Sequence, residues 1–232
     1  MEALLKDKIS TLFNINKIQI FNNNPFEVKE MRENAFKDFM KLDFPSEKTE
    51  AWKNTDLKKV LDRDYSFYFE PTEKNVDIEK VFQCEVPDFD THIISLYNGW
   101  YVSRDKPLVK LPNGTIVGSF AKAMETYPEL VLKHFNKYAK DNINGFNALN
   151  TACAQDGVFI YVPDGVETYK TIQMVKVLNK EDNLFVQNRN LVIVGKNSKL
   201  TLVHCEDSHN HKSSFNNTVT EVFLDEVAQL DQ

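Results

Sequence analysis

The chain has 232 residues and a formal net charge of −6, from 28 Lys and Arg against 34 Asp and Glu, and this balance excludes general binding to a phosphate backbone, which needs clustered cations. Hydrophobic residues make up 42%, with 17 Phe among the aromatics, enough to fill a sizeable core in one large or two small domains, and we expect two. No stretch approaches the ~18 apolar residues of a membrane helix, and the charged amphipathic opening after Met1 is not the pattern of a signal peptide.

Residues 1 to 62 are expected to be helical. Leu4, Leu5, Ile9, Leu12 and Phe13 recur at helical spacing, and Asn22-Asn23-Asn24 ends that unit. Asn24 is placed to cap a second helix, with Pro25 at its first position and Glu27 at its third. Its buried stripe would be Phe26, Met31, Ala35, Phe36, Phe39 and Met40, and Pro45-Ser46 breaks it. Thr55 or Asp56 should cap a short helix toward Leu61, with Trp52 and Leu57 packing nearby. Tyr65 to Phe69 and Ile93 to Tyr97 alternate as strands do, and Asn98-Gly99 predicts a hairpin turn into Trp100 to Val102. A further turn falls at Pro112-Asn113-Gly114, after which residues 119 to 139 return to helical spacing, broken by Pro128. The seam near 140 to 150 divides a helical and mixed amino-terminal domain, 1–145, from a second domain, 146–232.

That second domain carries a repeat. Ile172/Met174, Leu200/Leu202 and Ala228/Leu230 alternate as strand residues, their starts about 28 residues apart. Val158/Ile160/Val162, Leu191/Ile193 and Val222/Leu224 precede them, and Asp164-Gly165, Gly195 with Asn197, and Asn216-Asn217 mark turns. Two strands per repeat, each rung burying its neighbour's apolar row, predict a stacked coil that is incomplete at Gln232 and leaves β edges open. The competing expectation is an antiparallel sheet or barrel with accidental spacing.

Several blocks resemble the SufB/SufD family of the SUF iron–sulfur cluster assembly system, its SufD branch in particular. They are Arg32, Ala35, Phe36 and Phe39; Phe44-Pro45; Lys48, Glu50, Trp52, Lys53, Thr55 and Leu57; then Phe146, Ala148-Leu149-Asn150, Ala152, Asp156-Gly157, Phe159-Ile160, Val162-Pro163 and Gly165. Arg189, Leu191 to Gly195, Asn217, Val219 to Val222 and Ala228 continue the likeness. The resemblance reaches only the family's amino-terminal half. It implies an α+β fold, a helical amino-terminal domain followed by the first rungs of a right-handed parallel β-helix. It also implies a non-catalytic scaffold fragment that pairs with a SufB-like subunit through the β-helix. The region that docks a SufC-like ATPase would lie outside this chain, and a homodimer through open β edges is a further expectation. No cofactor would be held firmly; iron or an iron–sulfur cluster would be met in transit within the full complex.

Ligand-type side chains concentrate at His204-Cys205-Glu206-Asp207-Ser208-His209-Asn210-His211, which makes His204, Cys205, His209 and His211 the candidate metal ligands, for zinc or iron. Adjacent strand residues face opposite ways, so only one of His204 and Cys205 can converge with the later histidines. A solvated loop between rungs is the competing reading. Cys84, Cys153 and Cys205 are odd in number and form no CxxC, which fits a reducing, cytoplasmic setting. There is no G-x-S-x-G, P-loop or G-x-G-x-x-G, so no catalytic residue is assigned. The alternatives to a scaffold are a β-helical polysaccharide-active enzyme, which would need a row of Asp, Lys and Arg on one face, and a metal-binding module at His204 to His211.

Overall fold

The computed structural model describes residues 2–71, 73, 76–82, 90–103, 106–142, 144–209 and 212–232. Helix α1 (Glu2–Ile15) turns Leu5, Ile9 and Phe13 inward at intervals of one helical turn and leaves Leu4 exposed. After α2 (Lys17–Phe21), α3 (Phe26–Lys41) buries Val28, Arg32, Ala35 and Phe39. Phe13 of α1 stacks on Phe36 of α3 with ring centroids 3.9 Å apart. The expected stripe is therefore rotated: Phe26 and Met40 are exposed, and the charged Arg32 takes a core position. The expected cap is also displaced. Asn24 does not cap α3, which starts one residue later with Pro25 at the N-cap; its side-chain oxygen instead accepts from Arg32 Nε at 2.9 Å.

A 3₁₀ turn at Glu50–Trp52 precedes α4 (Lys58–Leu61), where the Asp56 carboxylate accepts from the Lys58 N–H at 3.0 Å, and α5 is a single turn at Ile78–Val81. Tyr65 to Phe69 is not a strand: Ser66 makes one bridge to Leu184, while the rings of Tyr65 and Phe67 pack on Phe185. Strands β1 (Thr91–Tyr97) and β2 (Trp100–Val102) form the expected hairpin, with Asn98 at φ 50° and Gly99 at φ 91° supplying the left-handed turn. Strands β3 (Leu108–Lys110) and β4 (Ile116–Ser119) follow. The Ser119 hydroxyl caps α6 (Phe120–Thr126), and Pro128 starts α7 (Pro128–His134). Helix α8 (Gly145–Cys153) is capped by the Asn144 side chain and is buried along nearly its whole length.

The remaining chain alternates between two sheets. Strands β5 (Val158–Val162), β7 (Phe185–Val194) and β9 (Phe215–Leu224) lie in one; β6 (Thr171–Leu178), β8 (Lys199–Ser208) and β10 (Gln229–Asp231) lie in the other. The sheet orders are β3-β4-β5-β7-β9 and β10-β8-β6-β1-β2. Both sheets are mixed, not the purely parallel rungs expected: β5, β7 and β9 are parallel to one another, as are β1, β6, β8 and β10, but β2, β3 and β4 pair antiparallel. The antiparallel members arise because β1–β2 and β3–β4 are joined by tight turns, which reverse direction between neighbours.

The ladders correct the repeat. Ile172 stands opposite Leu202 and Phe185 opposite Phe215, a period of 30 residues, and the first step, Phe159 to Leu191, is 32. Leu191 and Ile193 do not face the space between the sheets; they pack outward with Phe120, Val131 and Phe159, whereas Val192 and Val194 pack inward with Ile160, Met174 and Leu202. Strand β7 is buried on both faces, so its alternation carried no sign of direction. Asn216-Asn217 is not a turn but lies within β9; the turn comes at Asp225 to Ala228, with Val227 at φ 59°. Among the described residues no helix is long and apolar enough to cross a membrane.

Candidate functional site: strand edges and metal-ligand candidates

Strand β8 sets the directions of the ligand candidates. His204 lies opposite Met174 and shares the parity of Leu200 and Leu202, so it points between the sheets; Cys205 lies opposite Val175 and packs on the outer cluster of Tyr97, Val175 and Val177. The Cys205 sulfur accepts from Gln173 Nε2 at 3.4 Å. Partial burial and the neighbouring Lys176 lower the pKa of His204, against an opposing pull from Glu206. His209 follows the strand, its Nε2 3.0 Å from Asp207 Oδ2. His211 lies outside the described residues, as does Cys84. The ladder therefore separates His204 from Cys205, and among the described residues no group of three or more His, Cys, Asp or Glu side chains is arranged to hold a metal ion. Cys153 is buried, and burial pushes its thiol up to about 12, far from a reactive thiolate.

The side chains that hold the strands in place are mostly ones that periodicity could not single out. Arg189 on β7 and Glu221 on β9 form a buried ion pair at 2.6 Å. Glu221 also accepts the N–H groups of Asn136, Tyr138 and Ala139, while Arg189 donates to Asn150 and Thr151 of α8 and lies over the Phe135 ring. Asn150 then donates to the carbonyls of Asn188 and Asn217 on adjacent strands, at 2.8 and 2.9 Å. Helix α8 is thus fastened across two successive passes of the chain. Asp156, which bridges to Asn188 beside Arg189 on β7, fastens β2, β4 and α6. Its carboxylate accepts from the Ser119 hydroxyl and from the N–H groups of Tyr101, Ala121 and Gly157, and burial raises its pKa against those four hydrogen bonds. Between the sheets, Lys176 Nζ joins Glu206 on β8 to Thr218 on β9 at 2.5 and 3.0 Å.

This framework ends in two edges at the same end. β9 pairs only with β7 and β10 only with β8 among the described residues, so both offer an unpaired side of parallel backbone. Leu224 and Val227 are exposed beside them. Such edges are templates for further strand pairing. The molecule is an α+β protein whose helices brace two mixed sheets and whose last parallel strands stand open.

The family described as SufBD protein N-terminal region matches residues 4–174. The chain belongs to the SufBD family of iron–sulfur cluster assembly proteins. It is 23% identical over 198 residues to an iron–sulfur cluster assembly SufBD family protein of Synechocystis sp., covering 82% of this chain and 43% of that protein. A SufBD family protein of Arabidopsis thaliana is 24% identical over 240 residues, covering 93% and 50%, and one of Staphylococcus aureus is 24% identical over 232 residues, covering 93% and 48%. The chain spans about half the length of the curated relatives it matches.

Proposed function

We propose that this chain is the amino-terminal part of a non-catalytic, SufD-like scaffold subunit for iron–sulfur cluster assembly in the cytoplasm. The observation that carries the reading is the pair of open edges, β9 and β10, at the end of parallel ladders that keep a 30-residue register, in a chain of the SufBD family. In this reading the alternating strands continue as a right-handed parallel β-helix, and its surface pairs with a SufB-like subunit. A SufC-like ATPase would dock on a carboxy-terminal region not present in this chain. Iron or cluster is cargo, met in the assembled complex. Templating needs a rigid edge, and the buried Arg189–Glu221 and Asp156 networks supply that rigidity.

The test is a pull-down that compares this chain with a form extended beyond Gln232 by the carboxy-terminal half of a SufBD relative, each probed for SufB-like and SufC-like partners. The extended form should capture both. Capture of the SufC-like ATPase by the short form would contradict the assignment.

A further inference from the structure

A cleft of about 460 Å³ opens where the α2–α3 turn, the loop at Phe69, β2 and α6 meet. Arg32 lines it, although its side chain belongs to the core and is only 2% exposed. Nε donates to Asn24, and Nη1 donates to the carbonyls of Thr151 and Ala152 at the end of α8, both at 3.3 Å. Nη2 makes no hydrogen bond to a described residue, and no carboxylate among the described residues pairs with the guanidinium. A buried charge without a counter-charge is costly, and a planar fork with a free arm is matched to a carboxylate. Burial, opposed by the nearby Cys153 and aided by Arg189, brings the Arg32 pKa down to about 10. In the same wall the amide nitrogen of Gln155 is buried without an acceptor among the described residues.

The rest of the lining narrows the ligand. Lys122 is occupied by Glu125 at 2.9 Å, and Glu70 adds a second carboxylate, so the described lining carries no net positive charge and disfavours a dianion. Phe69 and Trp100 supply flat apolar wall. We propose that this cleft binds a small monocarboxylate with a flat apolar body, the carboxylate on Nη2 of Arg32 and the body against Phe69 and Trp100.

Sodium benzoate is the probe, titrated into the nitrogen-15-labelled chain and followed by NMR at the Trp100 indole N–H and the Arg32 Nε–H. Both signals should move saturably, and benzamide, which has the shape without the charge, and inorganic phosphate should bind at least about tenfold more weakly. Arg32→Lys should lose at least about tenfold in affinity. Because Arg32 also caps α8, Trp100→Ala is the second variant, removing apolar wall away from that cap, and it too should weaken benzoate. Absence of saturable shifts at the two reporters, equal binding of benzamide, or unchanged benzoate affinity in Trp100→Ala would overturn the site.

Discussion

Nη2 of Arg189 lies 2.6 Å from Oε2 of Glu221 with both side chains buried, and this one contact joins two parallel strands to the segment that leads into α8. Removing one partner leaves the other charged and desolvated. Glu221→Leu should therefore destabilise the chain by about 3–5 kcal/mol in urea unfolding, and the double variant Arg189→Met/Glu221→Leu should recover part of that loss. A double variant no better than the single one would mean that the packing, and not the charge pair, holds this corner.

Gly157 is fixed by close approach. A Cβ there would stand 2.0 Å from the Arg189 carbonyl oxygen and 2.9 Å from the Arg189 nitrogen, both backbone atoms of β7 that cannot yield without breaking a ladder. Gly157→Ala should cost at least about 2 kcal/mol. The neighbouring change Gly165→Ala serves as control: no atom of the described residues lies within 4 Å of its Cβ, leaving only the strain of φ 69°. If the two variants melt alike, the packing argument at Gly157 fails.

His92 faces the space between the sheets; burial first, then the nearby Lys170, lowers its pKa below the ordinary 6.5. The unfolded chain then binds the proton more readily than the folded one. Stability from this group is present above pH ~6.5 and is lost as pH falls through the lower folded-state value. His204 acts in the same direction, opposed by Glu206. The stability difference between the native chain and His92→Gln should shrink as the pH is lowered from 7.5 to 5 in buffer-matched unfolding curves (an interval of about 2–3 units). A difference independent of pH would show that His92 is not linked.

Zinc or ferrous iron should leave the melting temperature unchanged, because the ladder turns His204 and Cys205 to opposite faces and Cys205 packs in an apolar cluster. A metal-dependent rise abolished by both His204→Ala and His209→Ala would establish a site despite that divergence.

The open edges lead to a fifth measurement. Sedimentation velocity should show self-association that grows with concentration, since β9 and β10 each leave one side unpaired among the described residues. Lysine at Val219, in the middle of β9, should reduce it. A monomer at all concentrations would count against the edges as pairing surfaces.

The repeat was legible in the apolar pairs after Gly157, but its phase was not. The end of strand β7, residues 191–194, is apolar on both faces because helices cover its outer side, so Leu191/Ile193 and Val192/Val194 fit a sequence pattern equally well. Asparagine suggested a turn at 216–217 since it tolerates bends; in the fold Asn217 donates to Gln187 on the neighbouring strand and to the Phe146 carbonyl, roles that exist only once strands are stacked. The Asn98-Gly99 hairpin was legible because both residues favour positive φ within four residues of chain. For the metal candidates, alternation alone foresaw that His204 and Cys205 diverge, yet which one faces inward depended on register.

By itself, then, the sequence determined the local elements: amphipathic helices, the tight turns and the presence of alternating strands, all governed by interactions within a few residues. Tertiary structure decided the 30-residue register, the mixed character of the sheets and the burial of Arg32, Arg189 and Glu221. The reason is that a buried charge is tolerable only when partners distant in the chain arrive together, and no local pattern encodes their meeting.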